Sequence, residues 1–240
     1  FAAVLLYTFQ IYAEFSGCMD MVCGVSQMFG IDLAENFKRP FFAVSINDFW
    51  RRWHITLGEW LKDYIFYPVS LSGHFQKLNE RMRRHIKSEY LLTLLPGAYA
   101  LFFVWFANGM WHGASVKYIV YGLYYYALMM LGQAVHPVSA KVLARLGVQR
   151  ETRGYHVFEV LRTELIVCFG MLIFRADSLY QAGSMFTAIL TKFNARQLVD
   201  GTLLVPGIHG SDYVILGLAF VLVLVVSLLQ ERGIAIREKL

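Results

Sequence analysis

Charge is scarce in this sequence: Asp, Glu, Lys and Arg make up 16% of its 240 residues. A soluble domain carries about 25%, so an ordinary globular class is excluded. Cysteine is scarce too. Cys18, Cys23 and Cys168 form neither a disulfide framework nor a metal motif and read as small buried hydrophobes. No glycine-rich phosphate loop and no Gly-x-Ser-x-Gly elbow occurs, which removes two common routes to phosphoryl and acyl chemistry. No His/Cys/carboxylate cluster has ligand spacing, so no metal is expected. Internal repeats, low-complexity tracts and a signal-peptide pattern are also missing. The net charge is +5, but the basic residues cluster, which points to membrane topology and away from nucleic acid.

What the sequence has is apolar length. Hydrophobic residues reach 57%, and the mean hydropathy is +0.47. Crossing a bilayer takes about 20 mostly apolar residues. Segments 90–106, 117–134, 157–174 and 213–229 qualify. Segment 1–29 is apolar but carries Glu14, Ser16 and Asp20, so it is expected to face the bundle or water and to break near Gly17. The expected class is all-α: a multi-pass transmembrane helical bundle in the lipid bilayer.

Three basic clusters occupy 77–87, 141–153 and the tail with Arg232, Arg237 and Lys239. They share one side, the cytoplasmic one, if the four later helices alternate in direction. The amphipathic stretch 179–193 is expected along the interface. The stretch 45–65 reads as one interfacial or re-entrant amphipathic helix. Its apolar face holds Ile46, Phe49, Trp50, Trp53, Leu57, Trp60, Leu61 and Tyr64, opposite Asp48, Arg51, Arg52, Glu59 and Lys62. Ser45 is its expected cap, and Asp48 with Arg52 an i,i+4 pair.

Of seven histidines, His74, His85, His136, His156 and His209 sit in polar loops or near helix ends and need no function. His112 follows an apolar helix in Ala107-Asn-Gly-Met-Trp-His-Gly-Ala114, where Gly109 and Gly113 permit close backbone approach. A titratable group at that depth is costly unless it works. His54 lies where the apolar and charged faces of the Trp-rich helix meet.

Six ordered runs then stand out: Glu14-Phe-Ser-Gly-Cys-Met-Asp20, Glu35-Asn-Phe-Lys-Arg-Pro-Phe41, Ser45-Ile-Asn-Asp-Phe-Trp-Arg-Arg-Trp-His-Ile-Thr-Leu57, Trp60-Leu-Lys-Asp-Tyr64, Gly109-Met-Trp-His-Gly-Ala114 and Phe174-Arg-Ala-Asp-Ser178. Together they resemble the membrane-bound O-acyltransferase (MBOAT) superfamily, nearest its bacterial alginate O-acetylation branch. The sequence departs from that branch at Glu14, at Cys18, and at Tyr67-Pro-Val-Ser-Leu-Ser-Gly-His-Phe75. The resemblance implies an MBOAT fold in a bacterial cytoplasmic membrane, of which this chain is a C-terminal part lacking N-terminal helices and a last C-terminal helix.

It also implies roles. His112 would be catalytic and His54 the second functional histidine, near the cytoplasmic mouth. Apart from the resemblance, Asn108, Trp111, Arg51, Arg52, Asp48 and Trp53 are the candidate substrate-binding residues, and the basic face of Arg51, Arg52 and Lys62 with the 77–87 cluster could attract a donor's phosphates. A neutral imidazole accepts a proton from an acceptor hydroxyl as it attacks a thioester. The donor is expected to be acetyl-CoA or another acyl thioester, with no bound cofactor. The acceptor is expected to be a cell-surface polysaccharide, reached through a secreted partner of the SGNH-hydrolase type. D-alanyl transfer to teichoic acid from a carrier-protein thioester is the alternative within the class. A non-enzymatic transporter or scaffold is the alternative outside it.

Overall fold

A computed structural model describes residues 2–192, 194, 196, 200–201 and 209–234. The chain divides into two compact units, Phe1–Thr187 and Ala188–Leu240. Among the described residues all regular structure is helical, apart from one isolated bridge between Phe37 and Trp53.

The first unit opens with α1 (Ala2–Met28). This helix runs through Gly17 without a break, a correction to the expected interruption. Nothing stands within 4 Å of the space a Gly17 side chain would take, so no neighbour forces a bend there. Glu14 and Asp20 are exposed, and Glu14 accepts a hydrogen bond from Gln10 Nε2 one turn earlier, at 2.8 Å. The cysteines divide. Cys168 is buried, Cys23 is half-buried and Cys18 is exposed on the outer flank of α1, so the expectation of three buried hydrophobes holds for Cys168 alone.

Next come the short helices α2 (Ile46–Arg52), α3 (Ile55–Leu61) and α4 (Tyr67–Leu71), with a π-helical turn at Lys62–Phe66. The single helix expected over 45–65 is therefore two helices. Trp53 is extended, and His54 takes a left-handed backbone with φ 48° and ψ 52°. The start of α2 is as the sequence suggests. Ser45 Oγ accepts from Asp48 N at 3.1 Å, and Arg52 Nε donates to Asp48 Oδ1 at 3.1 Å.

The helices α5 (Gly73–His85), α6 (Glu89–Trp111), α7 (Val116–Arg145) and α8 (Arg153–Arg175) follow. α6 and α7 cross at glycines. A side chain at Gly122 would run into the Trp105 carbonyl, and one at Gly109 would lie 2.5 Å from the Tyr118 carbonyl oxygen. α8 is tied to α7 by side chains. Tyr124 Oη donates to the Ile166 carbonyl at 2.8 Å, and Lys117 Nζ donates to the Ala176 carbonyl at 2.7 Å just past the α8 C-terminus. Residue numbers rise along one helix as they fall along its neighbour, so α6, α7 and α8 are successively antiparallel. That brings Arg83, Arg84 and Lys87, just before α6, to the same end as Arg145, Arg150 and Arg153 around the α7–α8 turn.

Two expected boundaries move. α6 continues to Trp111, which makes Asn108 helical and His112 its C-terminal cap. α7 continues to Arg145, which puts His136 and Lys141 on the helix. Three helices, Glu89–Trp111, Val116–Arg145 and Gly210–Glu231, are long and apolar enough to cross a membrane. α8 has the length, but Glu159, Arg162 and Glu164 dilute its apolarity. The expected amphipathic stretch is α9 (Leu179–Thr191); Phe193 lies outside the described residues.

The second unit contains α10 (Gly210–Glu231). Its start is fixed by the His209 amide donating to Asp212 Oδ2 at 2.9 Å. It is apolar all round and buries no residue, as a lipid-facing span should. Arg237 and Lys239, expected in the third basic cluster, lie outside the described residues.

Candidate active site

α6 presents Val104, Trp105, Asn108, Trp111 and His112 on one face. Their offsets of one, four, seven and eight positions are the period of an α-helix. Opposite stand Trp50 and Trp53 from the end of α2 and His54 from the turn after it. Together they line a cavity of about 300 Å³, closed elsewhere by α1, α7 and α8 through Phe15, Tyr121 and Phe174. The wall is overwhelmingly apolar and aromatic, as ligand cavities usually are.

The two histidines meet here. The Trp111 ring lies 4.9 Å from that of His112 and 5.7 Å from that of His54. His112 is further enclosed edge-on by Tyr121 at 5.7 Å and Phe174 at 5.0 Å. His54 meets Phe15 edge-on at 4.7 Å. Burial pushes the His54 imidazole below its ordinary pKa of 6.5, because apolar surroundings disfavour the charged ring. The sequence suggested a donor side marked by His54 and a separate, deeper point at His112. The fold brings both to one chamber, at the end of α6 away from the basic residues.

Three polar atoms of the cavity residues are buried without a hydrogen-bond partner in the protein: Trp50 Nε1, His54 Nε2 and Asn108 Oδ1. Each such atom costs about 1–3 kcal/mol. One donor and two potential acceptors left open around one cavity suit a ligand that both accepts and donates hydrogen bonds. Among the described residues no three His, Cys, Asp or Glu side chains gather as a metal site requires.

The expected substrate-binding residues divide. Asn108, Trp111 and Trp53 line the cavity; Asp48, Arg51 and Arg52 do not. Helical spacing explains the split within α2, since position 50 turns inward and 48, 51 and 52 turn away, while Trp53 reaches the cavity from the extended residue that follows the helix. Asp48 also accepts the Val44 amide at 3.2 Å, so it holds the start of α2 and, through Arg52, its end. Arg51 is exposed.

The model of the MBOAT, membrane-bound O-acyltransferase, family matches residues 1–144. The chain belongs to this family. The match covers both histidines, α2 and α3, and nearly all of the α6–α7 hairpin. The probable alginate O-acetylase AlgI of Pseudomonas fluorescens is 35% identical over 187 residues, 78% of this chain and 32% of that protein. A peptidoglycan O-acetyltransferase of Helicobacter pylori is 38% identical over 119 residues, 50% of the chain and 19% of the relative. A teichoic acid D-alanyltransferase of Bacillus subtilis is 31% identical over 169 residues, 70% of the chain and 39% of the relative. The matched region thus spans about a third of the length of the first of these relatives.

Within this MBOAT-family chain, one polar residue of the site was not singled out by its sequence. Asn36 is buried, 7% exposed. Its Oδ1 accepts from Thr56 N at 3.2 Å and Thr56 Oγ1 at 2.7 Å, and stands 3.3 Å from His54 Nδ1. Its own carbonyl accepts the Ile55 amide at 3.1 Å. The only signal was its place in Glu35-Asn-Phe-Lys-Arg-Pro-Phe41, where nothing distinguishes it from its neighbours.

Proposed function

We propose that this chain carries the reaction centre of a multi-pass O-acyltransferase of the bacterial cytoplasmic membrane. It takes an acyl group from a cytoplasmic thioester, acetyl-CoA in the simplest case, and passes it toward a cell-surface polysaccharide. A secreted protein of the SGNH-hydrolase type is the partner that completes the transfer outside. The observation that carries the reading is the pair His54 and His112 on one apolar cavity, bridged by Trp111.

His112 acts as general base. It takes the proton of an acceptor hydroxyl as that oxygen attacks the thioester carbonyl. The carbon–oxygen bond forms, the carbon–sulfur bond breaks, and the proton passes to the departing thiolate, so ester and thiol are the products. His54 is the second imidazole of the chamber and a second acceptor for the proton of the reacting groups. A cavity with little polar surface strengthens each of these contacts by excluding water. The exposed Arg51 and Lys62 supply positive charge for an incoming phosphorylated donor.

The test is acyl transfer by the full-length protein in proteoliposomes, with labelled acetyl-CoA on the cytoplasmic side. Label reaching a polysaccharide or partner outside is the expected result. Retention of all label as acetyl-CoA would contradict it. The similarity to a teichoic acid D-alanyltransferase favours a second reading, D-alanyl transfer from a carrier-protein thioester. That reading predicts turnover with the loaded carrier and none with acetyl-CoA.

A further inference from the structure

The backbone amide of Thr56 can only donate a hydrogen bond, and it donates to Asn36 Oδ1 at 3.2 Å. That fixes the orientation of the Asn36 amide: the atom facing this cluster is its oxygen. An amide oxygen only accepts. His54 Nδ1, 3.3 Å from the same oxygen, must therefore carry the proton in the neutral ring. The other nitrogen, Nε2, is then a bare lone pair. It is buried beside the cavity and has no partner in the protein. The same residue also pins the backbone, since the Asn36 carbonyl accepts the Ile55 amide and the Lys38 amide donates to the Arg52 carbonyl at 2.9 Å. His54 is thereby held in its left-handed conformation, φ 48°, from both sides.

We infer that Asn36 is a positioning residue for acyl transfer: through Oδ1 it selects the Nδ1–H tautomer of His54 and presents Nε2 as a proton acceptor to the reacting groups. This rests on the reading of His54 given above and adds what sets its proton state. The logic is that of any imidazole base whose second nitrogen is tied down by an orienting acceptor. The titratable side chains that share the chamber with His54 are His112, at the end of α6, and Tyr121 of α7, while Phe15 from α1 and Trp111 from α6 cover the ring. A carboxylate at position 36 would stand at the His54 Nδ1 contact itself, 3.3 Å away.

The experiment measures kcat and KM of the full-length protein in proteoliposomes with acetyl-CoA, between about pH 5 and 8 where imidazoles titrate. Four variants are compared: Asn36→Ala, Asn36→Asp, Thr56→Val and His54→Ala. Asn36→Ala is expected to lose about tenfold or more in kcat with little change in KM, out of the roughly 10²–10⁴-fold a positioned base supplies. Asn36→Asp keeps the acceptor and adds a charge that favours imidazolium. It is expected to recover kcat at the alkaline end and to move the acidic limb of the profile up by about one pH unit or more. Thr56→Val removes one donor to Asn36 but leaves the His54 contact, so its acidic limb stays where it is in the parent protein. An unmoved acidic limb in Asn36→Asp, or Thr56→Val matching the kcat loss of Asn36→Ala, overturns the assignment and leaves Asn36 a helix cap. His54→Ala separates the two levels. If it turns over like the parent protein, the role of His54 falls as well. If it is inactive while the Asn36 variants behave like the parent, only the assignment of Asn36 falls.

Discussion

His54 and His112 belong to different elements, fifty-eight positions apart, yet one tryptophan touches both. His112 was legible as a residue of interest because it ends an apolar run between small residues, and His54 because it sits where the apolar and charged faces of a Trp-rich stretch meet. Their meeting was not, because it depends on the crossing of α2 with α7 and α8. The pKa of His54 gives a prediction at this scale. Burial holds it below the ordinary 6.5, so the folded protein keeps the ring neutral where the unfolded chain takes up a proton. Its contribution to stability is therefore complete above about pH 6.5 and is lost as pH falls toward the folded value. Thermal melts of the purified protein should show a falling Tm below about pH 6.5, and His54→Gln should flatten that fall. An unchanged slope in His54→Gln would mean other groups cause it.

At the scale of elements, the α6–α7 crossing sets where the cavity lies. Gly122 sits against the Trp105 carbonyl and Gly109 against Tyr118 and Ile119, so backbones touch where side chains normally intervene. Gly122→Ala should push the helices apart, at a cost of about 1–3 kcal/mol for overpacking, and should lower Tm and turnover together. Gly97→Ala is the control, as nothing lies within 4 Å of that position; its Tm should hold or rise slightly. A Gly122→Ala protein as stable as its parent would contradict the close crossing. The long helices were readable from apolar length, since composition alone dictates them. The break at Trp53–His54 was not readable, because the helical spacing of Trp50, Trp53, Leu57 and Trp60 continues straight across it. It exists because the segment around Asn36–Lys38 takes over the backbone hydrogen bonds of Arg52 and Ile55, a long-range contact that no local pattern encodes. That Arg51, Arg52 and Asp48 lie off the cavity wall was not readable for a related reason: charge beside a histidine in sequence says nothing about which way a short helix turns.

At the scale of the molecule, the antiparallel order of α6, α7 and α8 puts two basic groups at one end and the His112 turn at the other. The proposed topology, by the positive-inside rule, has the basic end cytoplasmic. In a background with the native cysteines replaced, Lys87→Cys and Arg150→Cys should react with an impermeant maleimide from the cytoplasmic side only. Ser115→Cys, in the α6–α7 turn, should be protected from that side. Labelling of positions 87 and 150 from opposite sides would refute the arrangement.

The central claim is that His54 and His112 work as one unit in one chamber, and a double-mutant comparison of turnover in proteoliposomes tests it most directly. Groups that act together are strongly non-additive when removed. His54→Ala and His112→Ala should each abolish most acyl transfer, about 10²-fold or more, and the double variant should be little worse than either. Wild-type turnover by His112→Ala, or losses that multiply in the double variant, would contradict the account.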